Sequence, residues 1–419
     1  MEHSVLLPEE GVERLRFPNG FQVVWRPLPA TRLCHTALLI NTGSRDERPG
    51  EEGLAHLIEH MVFKGTRRRK AYHILNRIDS VGGELNAYTD KEHTAYYTTA
   101  TAEHLERSVE LLIDLAFHAR FEDRELRKEQ QVVSEEIDMY ADSPEEMIFE
   151  RFDEQMYAGH PLAHPVLGHK EQVRNYRQPD LQRFAGQQYA PQRMVLSVAG
   201  KLNPQQLHRL AAKYIAPLPA PGGNRSRSTA SPQAPFRLSL PEAQYQGHLI
   251  IGGEAPARTL TEKIPFQLLN YYLGGNAMNN RLSMQIREKH GLAYNLFSFA
   301  NLFSDTGQWG IYAGAEAGNL ATIERLIRKE LTRLTREKLS ATRLKRLKKQ
   351  YTGALLVASE SPTARMMHQG KALLVEDRVP SLEETLRKIE NLSAETLLET
   401  ANRYMQPDRL SVLSFAPER

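Results

Sequence analysis

The chain is poor in cysteine: Cys34 is the only one among 419 residues. No intrachain disulfide can form, and no cysteine-based metal site is expected. Cys34 precedes an apolar run and reads as a small buried hydrophobe. Long apolar runs are missing too. A membrane span needs roughly 18 or more consecutive apolar residues, and no such stretch occurs. Net charge is almost absent, with 54 Lys and Arg against 51 Asp and Glu leaving +3. That is too little to point to nucleic acid. Residues 1–10 have neither a basic start nor an apolar core, so they do not read as a signal or transit peptide, and the expected location is cytoplasmic. What remains is ordinary globular composition, 41% hydrophobic and 25% charged. The length exceeds one ordinary core, so two or three domains are expected.

The most informative stretch is His56-Leu-Ile-Glu-His60, inside a helix-forming run from Gly53 that ends near Gly65. At helical spacing His56 and His60 share a face one turn apart, and Glu59 lies beside them. Two imidazoles so placed can grip one metal ion, and the carboxylate can take a proton from water. This order is the reverse of the H-E-x-x-H zinc-protease helix. Two surface histidines flanking a Glu are the alternative.

Around it the chain alternates strands and helices. Residues 21–25 and 35–40 read as strands, 71–81 as a helix, and 84–90 with 94–99 as a hairpin. An amphipathic helix is expected at about 102–119 and one long Glu-rich helical region from Glu122 to about Met156. On a helical wheel of that region, Glu129 and Glu136 fall between Leu126, Val133, Ile137 and Tyr140 on one side and Val132 and Met139 on the other, in the middle of the apolar face, while Glu135 falls outside it. Carboxylates on a buried face need a metal or a buried cation as partner. The histidines of 160–169 lie in a Pro-containing stretch and read as a surface loop. The basic runs 67–70 and 343–349 read as solvated faces, with attraction of acidic peptides as a lesser alternative.

Residues 216–235 are dominated by Pro, Gly and Ser, as in an interdomain linker. Beyond them the pattern restarts. Matching the helix with Leu105 and Leu112 to the helix 320–334 gives an offset near 215 residues, about half the chain. The expected fold is α+β: two homologous domains, 1–220 and 236–419, each a mostly antiparallel sheet with helices packed on one face.

Taken together, these motifs resemble the pitrilysin family of zinc metallopeptidases, the family of insulin-degrading enzyme and mitochondrial processing peptidase, in its short two-domain bacterial form. Four features carry the resemblance, which runs from about residue 15 to 415. They are His56-x-x-Glu59-His60 after Gly53-Leu-Ala; Glu136 in Val-Val-Ser-Glu-Glu-Ile, with Glu129 seven residues earlier; Gly82-Gly-x-x-Asn86-Ala-Tyr-Thr; and Arg287-Glu-Lys-His-Gly-Leu-Ala-Tyr294. The resemblance implies one Zn²⁺ per chain on His56, His60 and Glu136, supported by Glu129. Zinc-bound water would be the nucleophile and Glu59 the general base. Peptide would pair with the strand at Asn86 and Ala87 and be held by Arg287 and Tyr294. It also implies an enclosed chamber for short or unfolded peptides, built by a homodimer whose active sites are shared between protomers. The alternatives are a non-catalytic peptide-binding subunit and a protease that processes a peptide precursor with a partner.

Overall fold

The computed structural model of the protein describes residues 4–6, 11–219, 222–223, 225–241 and 246–417. Residues 220, 221 and 224 of the expected linker lie outside the described residues. The strands are β1 (Ser4–Leu6), β2 (Glu13–Arg16), β3 (Gln22–Pro27), β4 (Leu33–Ile40), β5 (Glu84–Thr89), β6 (Thr94–Thr101), β7 (Met194–Gly200), β8 (Arg237–Pro241), β9 (Gln246–Glu254), β10 (Asn295–Leu302), β11 (Gly307–Glu316) and β12 (Ser411–Ala416). The helices are α1 (Leu54–Val62), α2 (Ala71–Asp79), α3 (Leu105–His118), α4 (Asp123–Ala141), α5 (Pro144–Met156), α6 (Lys170–Asn175), α7 (Gln178–Gln188), α8 (Pro204–Tyr214), α9 (Lys263–Gly274), α10 (Leu320–Arg336), α11 (Ala341–Ser359), α12 (Pro362–Glu376), α13 (Leu382–Glu390) and α14 (Ala394–Tyr404). Among the described residues, no helix is long and apolar enough to cross a membrane.

The single Glu-rich helix expected up to Met156 is two helices. Ser143 caps α5 through its side chain, and Pro144 occupies the first helical position. Pro cannot continue the preceding helix but suits a first turn, so this pair ends α4 and starts α5.

Two sheets organise the chain. The first runs β1-β2-β3-β7-β4-β6-β5 and the second β10-β11-β9-β12-β8. Each is antiparallel except at one place, β3 with β7 and β8 with β12. Read from those parallel pairs outward, β3-β7-β4-β6-β5 and β8-β12-β9-β11-β10 are the same arrangement. The α+β class and the internal repeat are therefore both present, and β1 and β2 are additions to the first copy.

The chain divides into two compact units. The first comprises Met1–Ile137, His164–Arg227 and Val357–Leu382, and the second Asp138–Ala163, Ser228–Leu356 and Glu383–Arg419. These differ from the contiguous division 1–220 and 236–419, because each half lends the other a helix. In the first unit, Leu38, Ile40 and Tyr96 face the main core beneath α1 and α3, while Ala37, Leu39 and Ala95 point the other way and meet Met366 of α12. The helix lies close: a Cβ on Gly370 would approach Leu39 Cδ1 to 2.4 Å. In the second unit, Leu249, Ile251 and Ile311 join the main core, while Ile250, Tyr312 and Leu413 meet Ile148 and Phe152 of α5. Successive strand residues point to opposite faces, so both faces of each sheet are covered.

Candidate metal centre

Helix α1 buries its apolar side, Leu54, Leu57, Ile58 and Met61, in the first core. That packing turns His56, Glu59 and His60 toward α4 and β5. The ring centroids of His56 and His60 are 4.7 Å apart. Glu136 of α4 reaches both rings: its Oε2 is 3.9 Å from His56 Nε2 and 3.6 Å from His60 Nε2. One donor atom from each of the three lies within 4.8 Å of the others, the only such metal-competent group among the described residues. Four-coordinate zinc with bonds near 2.0–2.1 Å places its ligand atoms about 3.3 Å apart. The three donors are therefore close to the spacing required, and two imidazoles with one carboxylate are a donor set of the catalytic zinc type.

The electrostatics suit a cation. Burial and the neighbouring His60 push the His56 pKa down to about 3, so its imidazole is neutral, the form that ligates metals. Glu129, buried on α4, sits with Oε2 3.2 Å from His60 Nδ1. A carboxylate only accepts, so Nδ1 carries the proton and the Nε2 lone pair points to the site. Burial works to lower the His60 pKa, but the bond to Glu129 and the charges of Glu136 and Glu59 outweigh it and hold it raised. For Glu129 burial acts upward, and its bonds to His60 and Lys64 prevail and lower it. Glu59 is held above the usual carboxylate range, chiefly by burial. It accepts a hydrogen bond from Thr89, and its Oε2 is buried without a partner.

Asn86 and Ala87 lie on β5, which among the described strands pairs with β6 alone and forms one edge of its sheet. Arg287 and Tyr294 belong to the second unit. Arg287 is on the π-helical turn Ser283–Glu288. Tyr294, just before β10, is 92% exposed, so no described part of the chain holds its ring. The structure thus brings His56, His60, Glu136, Glu129 and Glu59 together in one unit with Asn86 and Ala87 nearby on the edge, and carries the Arg/Tyr pair in the other. Glu135 is exposed and takes a hydrogen bond from Gln131. Of the loop histidines, His160 bonds Ser228 and His164 faces Glu52, and neither joins a metal-competent group.

Three neighbours of the site were not anticipated. Lys64, one turn past His60, pairs with Glu129 Oε1 at 2.7 Å, so a cation of the kind considered as an alternative to metal is present beside it, half-buried rather than buried. Thr89 contacts the proposed base. Glu47 accepts backbone N–H bonds from Gly53 (3.0 Å) and Ala55 (2.8 Å) at the start of α1. Only Lys64 left a sequence signal, its one-turn spacing from His60. The basic run 67–70 is also more than a solvated face: Arg69 bridges the buried Glu110 and Asp114 at 2.8 and 2.7 Å.

Residues 22–170 match the model of the insulinase family, peptidase family M16, and residues 177–351 match the M16 inactive domain. The chain belongs to the M16 peptidase family. It is 31% identical over 400 residues to the uncharacterized zinc protease YmxG of Bacillus subtilis, covering 95% of this chain and 96% of that one. It is 32% identical over 401 residues to an uncharacterized zinc protease of Mycobacterium tuberculosis, Rv2782c, covering 94% and 90%. The fold is also that of a protease from Helicobacter pylori (TM-score 0.88, 23% identity, 100% and 99% covered) and of an M16 inactive-domain protein from Pseudomonas fluorescens (0.90, 18%, 97% and 98%).

Proposed function

We propose that this protein is a zinc-dependent endopeptidase for short or unfolded peptides. The observation that carries the proposal is the convergence of His56 Nε2, His60 Nε2 and Glu136 Oε2 beside a buried, partly unpartnered Glu59. His56, His60 and Glu136 hold one Zn²⁺ per chain, and Glu129 fixes the proton on His60 Nδ1. Zinc at such a site supplies Lewis acidity and lowers the pKa of water to about 7. Glu59 accepts the proton from water and passes it to the leaving amine, and its raised pKa brings it nearer the working pH of such a shuttle. The peptide backbone pairs with β5 at Asn86 and Ala87, extending the sheet by one strand. Tyr294 and Arg287 hold the peptide near the scissile bond, where the Tyr294 hydroxyl stabilises the oxyanion.

The two-unit chain supplies half of an enclosed chamber, and a homodimer completes it, each active site combining Glu59 of one protomer with Tyr294 of the other. The lone buried thiol and the absence of disulfides suit a reducing, cytoplasmic setting.

Metal analysis and peptide cleavage test the core of the proposal. His56→Ala, His60→Ala and Glu136→Gln should each lose zinc, while Glu135→Gln keeps it. Glu59→Gln should keep zinc and lose about 10²-fold or more in cleavage rate, as for removal of a general base. Equal zinc loss in the two α4 variants would reject the ligand set. Wild-type cleavage by Glu59→Gln would reject Glu59 as the general base, whereas no chelator-sensitive cleavage by the wild type itself would leave a peptide-binding subunit as the better description.

A further inference from the structure

Helix α1 has no cap of its own. Its N-cap is Gly53, with φ +86° and no side chain. Glycine is required there twice over, by the left-handed backbone and because a Cβ would approach the Leu167 carbonyl oxygen to 2.4 Å. The first N–H groups of a helix lack intrahelical partners, and here a remote residue supplies them. Glu47 Oε2 accepts from Gly53 N and Glu47 Oε1 from Ala55 N, while the Glu51 carbonyl accepts from Leu54 N. Glu47 is itself buried, 5% exposed, and the turn before it is clamped. Asp46 is gripped by Arg225 and Arg227 at 2.9 and 2.8 Å, and Arg45 pairs with the buried Glu92 at 2.8 Å.

We infer that Glu47 is a positioning residue for the metal centre: its two carboxylate oxygens set the axial position and rotation of α1, and through it the placement of His56 and His60 against Glu136. The inference rests on those three residues being the zinc ligands. Ala55 is the residue before His56, so a shift of its N–H is passed to the ligand through one peptide unit. Outer groups that orient metal ligands typically change metal affinity by about 10- to 100-fold when removed. Glutamine at 47 keeps one acceptor and turns an NH₂ toward the other N–H, so one of the two bonds must break. Glu52 is the internal comparison. It is equally buried, but its carboxylate bonds Gly50 N and Gln172 and makes no bond to α1.

The test is competition titration of zinc against a chelator for wild type, Glu47→Gln, Glu52→Gln and His56→Ala, with visible spectra of the Co²⁺-loaded proteins. Glu47→Gln should bind zinc about tenfold or more weakly and shift the cobalt bands. Glu52→Gln should match wild type in both, and His56→Ala should lose the site. In cleavage, Glu47→Gln should lower kcat and leave KM unchanged, since β5 is untouched. Wild-type zinc affinity in Glu47→Gln, with His56→Ala depleted, would overturn the inference alone. Equal weakening in Glu52→Gln would also overturn it, by making the effect a general one of the loop. Full zinc retention by His56→Ala would overturn the ligand assignment and the inference with it. If Glu47→Gln does not fold, Glu47→Asp carries the same comparison, because its shorter side chain cannot keep both bonds.

Discussion

The two units share one strand arrangement and differ in what their helices carry. In the first, α1 presents His56, Glu59 and His60, and α4 presents Glu129 and Glu136. In the second, α9 follows the equivalent strand and contains no His, Asp or Glu. The second unit's counterpart of α4, the helix α11, contains no His, Asp or Glu either. The backbone plan is therefore indifferent to the chemistry, which depends on a few side chains placed on one copy. The second copy has its own distinctive surface, Tyr294 and Arg287 beside the edge strand β10. On the function proposed above, the duplicated fold separates two roles, metal chemistry on one copy and peptide holding on the other.

Mixing two lesions tests that division most strongly. Glu59→Gln and Tyr294→Phe, each nearly inactive alone, should regain activity when their subunits exchange. In a symmetric dimer with shared sites, half of the dimers formed at 1:1 are mixed and each has one intact site, so recovery should reach about a quarter of wild type. If both residues act within one chain, mixing restores nothing, and the shared-site model falls while the zinc chemistry stands.

The next effect concerns the exchanged helices. Phe152→Ala should cost about 3–5 kcal/mol and Met366→Ala about 2–5 kcal/mol, because each empties a buried position under a sheet. Hydrogen exchange should locate the damage in opposite units. Phe152→Ala should loosen β9 and β12, and Met366→Ala should loosen β4 and β7. Loosening of β4 by Phe152→Ala would mean that α5 does not belong energetically to the second sheet alone.

The smallest effect uses the only thiol. Burial raises the Cys34 pKa to about 12, with a hydrogen bond to Thr36 pulling weakly the other way. The native protein should therefore resist thiol reagents at pH 8, since the reactive thiolate is scarce and buried. Because β4 belongs to the first unit, labelling in mild denaturant reports that unit. Met366→Ala should speed it and Phe152→Ala should leave it unchanged.

Much of this was legible in the residues. The one-turn spacing of His56 and His60, the preference for Glu136 over Glu135 and the repeat offset all follow from the 3.6-residue period and from local composition. The expected fold has helices on one face of each sheet only, although the strand runs Val23-Val24-Trp25 and Leu249-Ile250-Ile251 are apolar at every position, the sign of a strand covered on both sides. What covers the second side was not legible. The apolar stripes of α5 and α12 show that each helix must pack, but not against which sheet, and each packs on the sheet of the other half. Glu47 capping α1, Arg69 between Glu110 and Asp114, and Lys64 beside Glu129 are decided in the same way. Periodicity is a property of neighbours along the chain and is fixed by backbone geometry. The partner of a buried charge or an apolar stripe is chosen among segments far apart in sequence, by which packing leaves no polar group unpaired, and only the tertiary structure makes that choice.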